Sequence, residues 1–121
     1  MDTIQVIYIL NATLLLLHEI ESAFEREWEI LKLPGHITGF LLMHIPIILA
    51  LFYGLRELEK GSRIGLTIAI LFGVGGVVPY LVHKLFVRRD GRFERTISNV
   101  IIYLNGFLGI ALVVSAGCRL T

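Results

Sequence analysis

Leu17-His18-Glu19-Ile20-Glu21-Ser22-Ala23-Phe24-Glu25-Arg26-Glu27-Trp28-Glu29 runs without a break out of a strongly apolar segment, and it reads as the polar stripe of a membrane helix. At about 100° per residue, with His18 at zero, Asn11 falls at about +20°, Glu21 at about −60°, Ser22 at about +40°, Glu25 at about −20° and Glu29 at about +20°. One helix face thus collects most of the hydrogen-bonding groups. An ionisable side chain at membrane depth costs about 2.5–3.5 kcal/mol even on a lenient insertion scale, so an aligned set of them requires an interior or aqueous partner. The stripe is therefore a site before it is anything else.

The rest of the composition agrees with a bilayer environment. Of 121 residues 55% are hydrophobic and only 17% charged, with mean hydropathy +0.77, whereas soluble domains have about 25% charged residues. A soluble core of this size could not bury that much apolar surface. Net charge is +1 and the basic residues cluster in connections rather than along one face, which gives no footprint for nucleic acid. The single cysteine, Cys118, excludes an intrachain disulfide and makes no redox or metal motif by itself. Met1-Asp2-Thr3-Ile4-Gln5 lacks basic residues and no small-x-small cleavage site follows the apolar run, so the first helix is expected to stay in the mature protein.

Working outward, the first helix is expected over about residues 3–31, roughly 43 Å of helix against a hydrocarbon core of about 30 Å. His18 and Glu21 then lie inside the membrane and Glu27 and Glu29 at or beyond its boundary, which Trp28 suits. Leu33-Pro34-Gly35-His36 ends that helix. A second helix is expected over about residues 37–58, kinked at Pro46; a third over about 64–86, with Gly65, Gly73, Gly75 and Gly76 as close-packing positions ahead of Pro79. Arg88, Arg89, Arg92 and Arg95 flank an Asp90-Gly91 turn, and a fourth helix follows over about 93–118. The expectation is one all-α domain, an up-and-down integral membrane bundle of four helices. Seven basic residues (Arg26, Lys32, Lys84, Arg88, Arg89, Arg92, Arg95) fall on the side of the first and third connections and four (Arg56, Lys60, Arg63, Arg119) on the other. Positive-inside counting places the seven in the cytoplasm and both termini outside.

Up-and-down threading also fixes which residues share a depth. His44 lies about 10 Å into the second helix from that cytoplasmic end, Asn99 is similarly placed on the fourth, His83 is about one turn into the third, and Glu21 and Glu25 occupy the same end of the first. His18 is a turn deeper, nearer Asn105. His18, Glu21, Glu25, His44 and His83 are the candidate metal ligands, suited to zinc, iron or manganese; Asn99 and Asn105 line the layer. The i, i+3 pair His18/Glu21 reverses the Glu-x-x-His order of di-iron bundles and is not duplicated on another helix. Without a metal, His18, Glu21 and Glu25 are the candidate acid/base residues, since a buried carboxylate and a histidine can exchange protons near neutrality. His36 reads as a capping or interfacial residue, and Glu19 and Arg26, near one another on a different face, as a pair with each other, a neighbouring helix or a second subunit.

At His18-Glu19-Ile20-Glu21, in a small apolar four-helix chain, the sequence resembles the HXXEE-motif family of bacterial membrane proteins. Ser22 stands where that motif has its second glutamate, with Glu25 on the same face. The resemblance implies a multi-pass protein of the bacterial cytoplasmic membrane with a His/Glu site, and supplies no reaction. Three functions fit these residues: a membrane enzyme acting on a lipophilic small molecule, a proton or divalent-cation transport module that forms a homo-oligomer, and a structural or partner-binding membrane subunit.

Overall fold

The computed structural model describes residues 1–86, 93 and 95–121. Among them are five helices, α1 Thr3–Phe24, α2 Glu27–Ile30, α3 His36–Glu59, α4 Arg63–Leu85 and α5 Thr96–Leu120. α1, α3, α4 and α5 are each long and apolar enough to cross a membrane. Large apolar side chains stay exposed along all four, such as Phe24 (72%), Phe52 (66%), Leu71 (64%) and Phe107 (70%). A soluble monomer does not leave so much apolar surface facing water. These faces belong against lipid. The Asp90-Gly91 turn and Arg88, Arg89 and Arg92 lie outside the described residues.

The expected first helix divides in two. α1 stops at Phe24, Arg26 takes the left-handed conformation (φ 54°) and α2 starts at Glu27. A left-handed residue cannot continue a right-handed helix, so the chain turns, and Glu27 and Trp28 are buried against the other helices. Trp28 packs against Phe40 of α3, ring centroids 5.5 Å apart. Gly35 (φ 93°) then supplies the turn into α3 after Pro34. α3 continues through Pro46 and α4 through Pro79 without interruption.

The four long helices form an antiparallel bundle in which α4 and α5 share the most extensive interface, α1 lies across α3, α4 and α5, and α3 packs on α4. Small residues permit that closeness. A Cβ added to Gly109 of α5 would stand 2.4 Å from the carbonyl oxygen of Gly73 in α4, and one added to Gly73 would stand 2.7 Å from that of Gly109. Toward the termini the core is apolar, with Ile4, Tyr8, Ala12, Leu51, Leu66, Ala69, Leu112 and Ala116 buried together. The Tyr8 hydroxyl donates to the Leu51 carbonyl at 2.6 Å, so its polar end is satisfied. Midway lie Asn11 and Asn105, both fully buried on either side of Gly76. Asn11 donates to the Phe72 carbonyl at 3.0 Å. The other end of the bundle is polar, and the candidate site is there.

Both termini meet at the apolar end, where Arg119 grips Asp2 through two hydrogen bonds of 2.6 and 3.1 Å. The guanidinium holds the Asp2 carboxyl below the usual carboxylate range. A carboxyl stabilised in its charged form contributes to stability above its unfolded pKa and loses that contribution as pH falls through the lower folded value. Because the pair is exposed, the effect is small. Thermal unfolding in detergent should show a slight loss of stability below about pH 4 that Arg119→Gln abolishes. The same acid loss in both chains would mean that the clamp contributes nothing.

Candidate metal centre

His18 near the end of α1, Glu27 at the start of α2 and His83 near the end of α4 converge, each offering one ligand atom, with all three atoms within 4.8 Å of one another and all three residues buried. The left-handed turn at Arg26 is what brings Glu27 back against α1 and α4. Glu27 Oε1 lies 3.5 Å from His83 Nε2 and Oε2 lies 3.9 Å from His18 Nε2. The Ser22 hydroxyl donates to Glu27 Oε2 and stands 3.4 Å from His18 Nε2. His83 Nε2 is buried and has no hydrogen-bond partner among the described residues. The two imidazoles meet edge to face, centroids 4.7 Å apart, and the buried Phe93 ring lies 4.4 Å from His83 and 6.2 Å from His18. That ring shields the cluster. Burial opposes the charge of Glu27, but the Ser22 hydroxyl and the two imidazoles outweigh it and hold the carboxyl below its ordinary range.

Zinc–nitrogen and zinc–oxygen bonds of about 2.0–2.2 Å put the donor atoms of a tetrahedral site about 3.3–3.5 Å apart. The separation of Glu27 Oε1 and His83 Nε2 already has that value, while the three ligand atoms as a set, within 4.8 Å of one another, would have to draw together on an ion. Two imidazoles and one carboxylate are a donor set for zinc, iron or manganese. His83 Nε2, one of these three donors, makes no hydrogen bond among the described residues, and such an ion would satisfy it.

The other residues singled out from the sequence lie around this cluster rather than in it. Glu21 accepts from the Ser98 hydroxyl of α5. Glu25 pairs with Arg95 at 2.6 Å. His44 of α3 meets Glu19, not the histidines: its Nε2 is 2.6 Å from Glu19 Oε2 and its Nδ1 2.7 Å from the Phe40 carbonyl. Asn99 is exposed on α5. Asn105 is fully buried in the middle of the bundle, and neither of its side-chain polar atoms has a partner among the described residues. His36 is exposed at the first residue of α3 with φ 50°, and Arg26 lies 3.5 Å from Glu29. Sequence reasoning passed over Glu27 and the anchoring part of Ser22; Glu19, expected to pair with Arg26, a neighbouring helix or a second subunit, pairs with His44 of the neighbouring α3. On an unbroken helix Glu27 would point about 180° away from His18, and neither glycine nor proline marks the break at Arg26.

The Glu19–His44 pair closes one end of a second feature, a cavity of about 480 Å³ between α1, α3 and α4. Leu15, Pro46, Leu51, Leu71, Phe72 and Gly75 contribute to its apolar wall. His18 and Glu19 are consecutive, so α1 presents one polar side chain to each feature.

Four spanning helices around a buried histidine–carboxylate cluster define a multi-pass membrane protein. The chain belongs to a family of unknown function, DUF6713, whose pattern matches residues 4–117. No curated protein and no solved structure matches it. The functional reading accordingly rests on the chain's own side chains.

Proposed function

We propose that the chain is a metal-dependent enzyme of the cytoplasmic membrane that acts on a lipophilic small molecule, with His18, Glu27 and His83 as metal ligands. The observation that carries this reading is the convergence of two buried imidazoles and a carboxylate, with His83 Nε2 making no hydrogen bond among the described residues and standing 3.5 Å from Glu27 Oε1. Three protein ligands leave a coordination position for water or substrate, as in catalytic rather than structural zinc sites. When bound, such an ion supplies Lewis-acid activation of a water or a carbonyl group. The chain's own residues do the rest. Ser22 fixes one Glu27 oxygen so that the carboxylate keeps its orientation, Phe93 keeps bulk water from the imidazoles, and the Glu19–His44 pair holds a proton beside the apolar cavity. The resemblance at His18-Glu19-Ile20-Glu21 supports a bacterial source, and the basic residues of the first and third connections support a cytoplasmic face for the cluster.

The test is elemental analysis of protein purified without a metal-affinity tag from cells grown with zinc, iron and manganese. About one equivalent of one metal is expected for a three-ligand site, and it should be lost in His18→Ala and in His83→Ala while circular dichroism shows the helices retained. A parent chain without metal, or variants that keep it, would overturn the reading.

A further inference from the structure

We infer that the cavity between α1, α3 and α4 binds an uncharged lipid bearing a hydroxyl group, its chain among the apolar side chains and its hydroxyl on the Glu19–His44 pair. The inference rests on the membrane-enzyme reading for its role, since it names the substrate class, but the binding stands on separate residues.

Volume comes first. About 480 Å³ lies within the roughly 300–1,000 Å³ of small-molecule sites, which are apolar with a few placed polar groups. The wall has that character, with Leu15, Leu71 and Phe72 set against one polar pair. Because the cavity lies between membrane-spanning helices, a ligand reaches it from lipid. Gly75 leaves room in the wall: a Cβ there meets nothing within 4 Å.

The polar pair then selects the head group. A carbonyl can only accept, so the 2.7 Å contact to the Phe40 oxygen fixes a proton on His44 Nδ1. The 2.6 Å contact between His44 Nε2 and Glu19 Oε2 holds one further proton. Whichever of the two atoms carries it, the pair as a whole is neutral. A charged head group entering here would find no counter-charge in an apolar wall, and its desolvation would go uncompensated. A plain hydrocarbon would make no use of Glu19, whose side chain is a quarter exposed with Oε1 not taken by His44. A hydroxyl donates and accepts through one atom, so it can give its proton to a Glu19 oxygen without bringing charge.

Binding of tritiated hexadecanol to the full chain in lipid nanodiscs, with unlabelled competitors, tests this. Saturable binding is expected, displaced by hexadecanol but not by equal hexadecane, hexadecanoate or hexadecylamine. Gly75→Phe, which fills the open space, and Glu19→Leu, which removes the oxygens that would accept the ligand hydroxyl at similar side-chain size, should each weaken binding about tenfold or more. His18→Ala should lose metal yet bind hexadecanol as the parent does, and Gly75→Phe should keep its metal. If the parent carries no metal but binds hexadecanol through Glu19, the lipid site stands and the metal reading falls. Equal displacement by hexadecane, tighter binding of the amine or the acid, or undiminished binding in both Gly75→Phe and Glu19→Leu would overturn the inference.

Discussion

A Gly109→Leu chain is expected to lose most of its cooperative unfolding transition in detergent, because no room exists for a side chain between α4 and α5. The atom that a new Cβ would meet at 2.4 Å is the backbone oxygen of Gly73, which cannot rotate away as a flexible side chain could. Overpacking a close-packed interior costs about 1–3 kcal/mol even where side chains can adjust. Here the whole helix must shift, along the most extensive interface in the bundle. Gly109→Ala should already lower the thermal midpoint clearly, and leucine should go further. The control is Gly117→Ala on the same helix, where a Cβ meets nothing within 4 Å and replacing a helical glycine is favourable by about 0.5–1 kcal/mol. A Gly109→Leu midpoint equal to the parent's would mean that α4 and α5 do not touch through these glycines.

The second large effect concerns which carboxylate serves the histidines. Glu27→Ala is expected to lower metal affinity by more than about 100-fold, measured by competition with a chromogenic chelator, since affinity losses of about 10–100-fold already follow removal of groups that only orient a ligand. Ser22→Ala should fall in that latter range, because its hydroxyl holds Glu27 Oε2. Glu21→Ala and Glu25→Ala should leave affinity near the parent's, their oxygens being engaged by Ser98 and Arg95. The opposite ranking, with Glu21 or Glu25 essential and Glu27 dispensable, would mean that the ligands come from one continuous helix face and that the turn at Arg26 does not form.

The contrast between these carboxylates shows where the sequence is legible. The all-helical membrane bundle follows from apolar runs too long for any soluble alternative, and the limits of α3 and α4 lie within a residue of those expected, because Pro34-Gly35 and Gly61-Ser62 carry turn chemistry. Arg26 carries none. Its left-handed backbone goes with the burial of Glu27 and Trp28, and one such residue rotates everything after it out of the helical phase. Glu19 is obscured for a related reason: at about 100° from His18 it leaves the polar stripe, and only the position of α3 shows that His44 waits there. Asn99 and Ser98 exchange places by the same rule, one residue deciding which side chain of α5 faces inward. Depth in a membrane can be counted from sequence, whereas azimuth around a helix depends on neighbours.

The three clustered side chains come from the first, second and fourth helices, and that order has a consequence for biogenesis. His18 and Glu27 leave the ribosome early, while His83 follows only after all of α3 and most of α4 have been made. During that interval the N-terminal half holds a histidine and carboxylates at the membrane boundary without the partner that completes them. The cluster is thus born late, as α4 settles against α1. Any ion that occupies it meets the full set of donors only in a nearly finished bundle.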